Sequence, residues 1–200
     1  DRKAPGKAAA INAAEQVAVR FPRIYLDADI QLPAGAVTAL AERLSQEPRV
    51  FAVVPARRVN LEGRPWPVRA YFQVNTRLPA FRSGLFGRGC IALSEAGRAR
   101  FASFPELIAD DLFLDSQFDD AEKAEVGEVT VVVEAPWTTR DLFRRLVRVR
   151  RGNAELRSAA ADRGLDVAVR PPHRWAWLTE VVAKQPRLAP AGVVYAALSF

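Results

Sequence analysis

Methionine is absent from all 200 residues, including position 1. Translation begins with Met, so this absence predicts a processed chain or an excised fragment. The first residues, Asp1-Arg2-Lys3-Ala4-Pro5, read as a polar loop and not as a targeting peptide. Cysteine is almost as scarce. A lone Cys90 excludes an internal disulfide and suits a reducing compartment, so a cytoplasmic location is expected. It reads as a small buried hydrophobe, because no base stands near it in sequence to make it a nucleophile. Long apolar runs are missing too. No stretch reaches the roughly 18–20 uninterrupted apolar residues that a membrane-spanning helix needs. Acidic residues are outnumbered, 23 against 29 basic, for a formal charge of +6.

What is present fits one ordinary domain. Hydrophobic residues make up 50% of the chain, ample for a buried core. Charged residues, 26%, are spread among apolar runs, which excludes wholesale disorder. Of the 29 basic residues 25 are arginine, all but Lys3, Lys7, Lys123 and Lys184. The planar arginine fork matches phosphate oxygens, so the charge points to anions: a nucleotide diphosphate, an anionic membrane surface or nucleic acid.

Periodicity predicts a helix from Lys7 to about Val19, then a short strand, Phe21–Leu26, emptying into Asp27-Ala28-Asp29. Residues 34–46 return to helical spacing, and Arg49–Pro55 supply another strand. Such alternation predicts an α/β sheet with parallel strands. Residues 60–83, rich in Pro, Arg and aromatics, predict a loop and helix over the sheet. Phe86–Leu93 reads as a glycine-containing turn entering a strand. Ser94 caps a helix to about Phe104, with Glu95 in its first turn. Asp110-Asp111 open another helical stretch, Val126–Val133 is a β run, and Thr138 or Thr139 begins a long arginine-rich helix. No internal repeat is evident. The apolar end, Ala189 onward, is either a buried terminal element or a membrane segment cut short.

Asp27-Ala28-Asp29 is the first constellation with chemical content. Two carboxylates on one turn can face a common point and bind a hard divalent cation, while substrate phosphates complete its shell. In an open α/β sheet, ligands gather outside the carboxyl ends of the strands, where this turn lies. The alternative is a plain solvated turn. Upstream, Gly6-Lys7 opens a helix, a weak signal for a bound anion. Between Thr138 and Arg163 stand eight arginines and three acidic residues, a net +5. Most of these read as a solvated face, with Leu142, Phe143, Leu146 and Val149 turned inward; contact with anionic lipid is another option.

Gly6-Lys7-x-x-Ala10-x-Asn12 and Tyr25-Leu26-Asp27-Ala28-Asp29 resemble the G-K-x-x-A-x-N segment and the strand-D-x-D of glycosyltransferase family 2. The similarity runs from about Gly6 to Gly152. It implies a GT-A (Rossmann-like) α/β fold with a mixed sheet flanked by helices, incomplete at the N-terminus where the family binds the nucleobase. It divides the chain into a catalytic portion, 1–164, and a C-terminal helical extension, 165–200, a candidate start of a membrane-associated segment. By resemblance, Asp27 and Asp29 face Mg²⁺ or Mn²⁺ on a nucleotide-sugar donor, and Lys7 and Asn12 lie on the donor side. Gly87, Arg88 and Gly89 stand where the family has its acceptor-side glycine turn, although two glycines could equally make a strand-start bulge.

In that family an acidic pair follows, whose second member is the catalytic base. Carried over, Asp111 is the base and Asp110 its neighbour. A like charge beside a carboxylate raises its proton affinity, and a base is needed to take the acceptor hydroxyl's proton. Helix capping by the same residues is the plainer reading. The family's Q-x-x-R-W signature is reduced here to Arg145-x-x-Arg148-Val149, without the Gln or the Trp, so processive synthesis is not implied. Arg148 is the candidate to face the leaving diphosphate. His173, the only histidine, is a minor candidate metal ligand, and Trp175 and Trp177 pack or stack on a sugar.

The resemblance thus implies inverting transfer of a sugar to a hydroxyl acceptor (glycan, lipid or small molecule), at a cytoplasmic site or the inner face of the cell membrane. The competing reading is a non-catalytic scaffold, or a module binding anions or nucleic acid through the arginine helix. No nucleic-acid partner is expected, because the acidic pairs would repel a polyanion and the basic stretch has few stacking aromatics.

Overall fold

In the computed structural model, which describes residues 6–106, 109–163 and 175–199 (160–163 by backbone alone), the alanine-rich run after Gly6 forms helix α1, Lys7–Glu15. Strand β1, Arg23–Leu26, follows and ends at the acidic turn. Helix α2, Ala36–Gln46, precedes β2, Ala52–Asn60. Two helices, α3 (Trp66–Asn75) and the short α4 (Ala80–Ser83), separate β2 from β3, Cys90–Leu93. Then come α5 (Glu95–Arg98), α6 (Asp110–Asp115), β4 (Lys123–Glu134) and the long α7, Thr139–Arg163. A π-helical turn, Trp177–Val182, leads by a 3₁₀ turn to the last helix, α8, Ala189–Ser199.

The chain is mixed α/β, with an open four-stranded sheet ordered β1-β3-β2-β4 and helices on both faces. The alternation of helix and strand predicts parallel neighbours, and here the structure differs. Strand β3 lies antiparallel between β1 and β2, while only β2 and β4 pair in parallel. Both β1 and β2 oppose β3 and so run the same way, which is why the local βαβ pattern is real although the two never touch. Register breaks in the β2–β4 pair after Pro55. Proline has no N–H to donate, so the ladder cannot run through it undisturbed.

Alternation along the strands sends side chains to two cores. Ala52, Val54, Ile91 and Leu93 face Leu85, Phe104, Phe113 and Leu156. Val53, Cys90 and Ala92 face Leu40, Leu44 and Val126 under α2. Both faces are thus apolar, as a strand covered on two sides requires. On α3, Ala70 and Val74 pack against Val181, Leu188 and Ala191, and Tyr71 stacks on Tyr195 with ring centroids 5.1 Å apart. The apolar C-terminal run is therefore a helix seated on α3. Among the described residues no helix is long and apolar enough to cross a membrane.

Three expectations of detail need correction. The helix capped by Ser94, whose hydroxyl accepts from the Gly97 N–H at 3.1 Å, ends at Arg98 rather than Phe104. Gly97 lies so close to the Phe51 carbonyl that an added Cβ would stand 2.6 Å from it, and glycine supports a helix weakly. On α7, Leu142 and Leu156 are buried, but Phe143 and Val149 are about half exposed. Phe143 follows Leu142 by about 100° around the helix and so leaves the inward stripe, while Val149 lines an open cavity.

Candidate active site

The site is assembled by strand register. Because β1 and β3 are antiparallel with Leu26 opposite Cys90, the chain leaving β1 meets the chain entering β3. Asp27 donates its backbone N–H to the Gly89 carbonyl at 2.8 Å. Gly87 and Gly89 both hold positive φ, 71° and 67°, which favours glycine. A Cβ on Gly89 would meet Ile30 Cγ1 at 2.4 Å, so the loop packs against its own chain at this point and admits only glycine.

Helix α6 grips the same loop from the other side. Asp111 and Asp115, four apart and on one helix face, accept from alternate loop amides: Gly87 N–H to Asp111 Oδ2 at 3.1 Å, Leu85 N–H to Asp115 Oδ1 at 2.9 Å. Asp115 is buried against Lys123 at 3.0 Å. Asp111 also accepts from the Leu112 N–H at 2.8 Å. Burial pushes the Asp111 carboxyl above its ordinary range, and the Asp110 charge adds to this. The Gly87 and Leu112 amides and Lys7 pull the other way without cancelling it.

Lys7 joins the two acidic turns. Its ammonium contacts Asp27 Oδ1 at 2.5 Å and Asp110 Oδ2 at 2.8 Å. Burial opposes the charge, but both carboxylates outweigh it and raise the Lys7 proton affinity. Lys7 therefore ties the acids together instead of presenting a free cation to a donor. Asp29, in contrast, is exposed and makes no hydrogen bond or ion pair among the described residues.

The turns open onto a cleft of about 490 Å³ lined by Asp27, Asp29, Gly87, Gly89 and Asp111, with Arg144, Arg145 and Arg148 of α7 opposite. An adjoining cavity of about 1040 Å³ shares Asp27, Asp29, Asp111, Arg145 and Arg148 and continues between apolar walls. The sequence-predicted Asp27, Asp29, Asp110, Asp111, Lys7, Gly87, Gly89 and Arg148 thus come together in space.

Two do not present their side chains to the cleft. Asn12 donates to the Phe104 carbonyl and accepts from the Phe104 N–H, both at 2.8 Å, so its amide is consumed as a backbone clamp. Arg88 is buried, donating to the carbonyls of Pro55 (3.1 Å) and Phe81 (3.0 Å) and pairing with Glu125 at 2.6 Å. It is a strut under the Gly87–Gly89 loop, its guanidinium spent on these contacts. Cys90 is fully buried, its thiol pushed up to about 11 by burial and then by the Asp27 charge. His173 lies outside the described residues. Trp177 packs near Tyr195, whereas Trp175 is exposed.

Sequence reading gives Arg57 and Arg144 no part in this site and names Arg145 only as the first residue of the reduced signature. Arg57 donates to the Gly87 carbonyl at 2.9 Å and lies over the Phe81 ring, 4.8 Å from its centroid. Burial lowers its guanidinium to about 10, helped by the charges of Arg88 and Arg145. A strand signal exists in Arg57-Arg58: period-2 alternation sends one inward and the other out, and Arg58 is the exposed one.

Among the described residues no group of three or more His, Cys, Asp or Glu side chains is placed to hold a metal. Two carboxylates on a turn still fit an ion that arrives with substrate phosphates and keeps several waters. Lys7 occupies Oδ1 of Asp27, which leaves Oδ2 and the whole Asp29 carboxylate. No protein-family model matches the chain, and no curated protein matches it either.

Proposed function

We propose that this chain carries the catalytic site of a metal-dependent, inverting glycosyltransferase of the GT-A type, similar to family 2. It would move a sugar from a nucleotide-diphosphate donor to an acceptor hydroxyl. The observation that carries this reading is the convergence of Asp27-x-Asp29 and Asp110-Asp111, far apart in sequence, on one cleft through Lys7 and the Gly87–Gly89 loop. The arginines of α7 across that cleft supply the opposite charge.

Asp27 and Asp29 would hold Mg²⁺ or Mn²⁺, which when bound supplies charge neutralisation at the diphosphate. Asp111 takes the acceptor proton as the acceptor oxygen bonds to the anomeric carbon. The bond to the donor phosphate oxygen breaks, and its electron pair leaves with the nucleotide diphosphate. Arg148, with Arg144 beside it, faces that departing charge. Asp110 holds Lys7 and keeps a negative neighbour beside the base.

A panel of nucleotide sugars with Mn²⁺ tests the reading. Asp29→Ala should abolish metal-assisted binding. Asp111→Asn should spare binding and lower turnover about 10²- to 10⁴-fold. Normal turnover by Asp111→Asn would overturn the base assignment.

A further inference from the structure

Strands β2 and β4 run on past the acidic turn as a two-stranded wall. Ala92 lies opposite Val53, and Cys90, two residues earlier, lies opposite Leu26, so β1 ends level with Pro55 of β2. The pair continues from there to Asn60, opposite Glu134. At about 3.3 Å per residue, the wall rises roughly 16 Å beyond the end of β1. Val133, near its top, still lines the cleft with Asp27 and Asp111, so the cleft follows the wall upward.

Just beyond Glu134, at the top of the wall, stands Trp137. Its indole is 66% exposed, yet it is held firmly. The buried Arg64 guanidinium lies over the ring, with Cζ 3.4 Å from its centroid. Arg64 is fixed in turn by donating to the Ala135 and Glu62 carbonyls, both at 2.8 Å, and to Glu134 Oε2 at 2.6 Å. Gly63 holds a φ of 67° alongside, where an added Cβ would stand 3.5 Å from the ring. Burying a guanidinium and leaving an indole in water are both unfavourable. A plain surface turn requires neither. The result is a rigid apolar plate with the Glu134 carboxylate, half exposed, sharing its brace. A pyranose ring matches such a plate: its C–H face packs on the indole, and its rim hydroxyls donate to the carboxylate.

We infer that Trp137 is a stacking platform for an oligosaccharide acceptor, with Glu134 accepting from its hydroxyls while the end of the same glycan lies at Asp111. This rests on the glycosyl-transfer reading and narrows its acceptor to a glycan several units long. Trp137 does not stand in for the tryptophan of the reduced signature, whose position is Val149. The flat plate favours a β-linked glucan, which presents flat C–H faces. Glu134 and the exposed Glu62 beside Arg64 favour a neutral chain over an acidic one.

Titration of the ¹⁵N-labelled chain with cellopentaose tests this. The Trp137 indole N–H signal and the Gly87 amide signal, beside Asp111, should shift together. Trp137→Ala should weaken cellopentaose binding about ten-fold or more, and pentagalacturonate should bind wild type at least about ten-fold more weakly than cellopentaose. Trp137 is exposed, so its variant should fold, and Trp175→Ala, which removes another exposed indole, should leave binding unchanged. Cellopentaose that leaves the Trp137 signal in place, that shifts it without Gly87, or that binds Trp137→Ala as tightly as wild type overturns the inference. So does a Trp137 signal that answers to uridine and not to cellopentaose, which would make the ring a nucleobase platform. Pentagalacturonate binding as tightly as cellopentaose overturns the preference for a neutral chain. Mn²⁺-dependent nucleotide binding, measured separately, decides the glycosyl-transfer reading: its absence with the Trp137 shift intact would sink that reading alone.

Discussion

Asp111 combines a base's needs with a structural cost. Folding raises its proton affinity through burial and the Asp110 charge. Between its unfolded value, about 3.9, and its higher folded one, the folded chain binds more protons than the unfolded chain, so stability falls as pH rises through that window. Asp111→Asn removes this loss. The melting temperature of the variant relative to wild type should therefore shift upward between pH 4 and pH 7, whatever the offset from its altered hydrogen bonds; a difference that stays flat with pH contradicts the raised proton affinity. Turnover should rise with pH along a limb lying above the ordinary carboxylate range. Gly89 is the other position where one atom decides. Its φ of 67° and the 2.4 Å approach of a would-be Cβ to Ile30 leave no room for alanine. Gly89→Ala should cost about 2–4 kcal/mol in denaturant unfolding, from the positive φ and the clash, and should weaken metal–nucleotide binding by displacing Asp27.

Between elements, α6 and Arg88 hold the loop on which the acids converge. Arg88 ties that loop and α4 to β2 and to Glu125 of β4. Arg88→Ala would leave the Pro55 and Phe81 carbonyls without their donor and free the exposed Glu125 carboxylate, and should destabilise by about 1–3 kcal/mol; a melting temperature unchanged from wild type would show that the strut carries nothing. These contacts explain what sequence reading could and could not reach. Helix α1, β1 and its acidic turn, the β run of β4 and the start of α7 at Thr139 are local patterns, so spacing reveals them. The insertion of β3 between β1 and β2 is a pairing of distant segments, and no local period encodes it. Arg88 and Asn12 look like ligands in sequence because their partners are backbone groups, of Pro55, Phe81 and Phe104, that no motif displays. Arg57 was within reach through strand alternation, whereas the facing of Arg144 and Arg145 depends on how α7 crosses the cleft.

Taken together, the chain brings two acidic turns and a basic helix to one opening, and everything proposed for it requires those turns to serve one substrate. Binding Mn²⁺ with UDP, and in turn GDP, to the ¹⁵N-labelled chain tests this directly, since the paramagnetic ion broadens only nearby amides. The backbone signals of Asp29, Gly87, Gly89 and Leu112 should broaden together, those of α8 should stay sharp, and Asp29→Ala should restore all four. Broadening at Asp29 that leaves Gly87 and Leu112 untouched, or broadening that survives Asp29→Ala, would contradict a shared cleft.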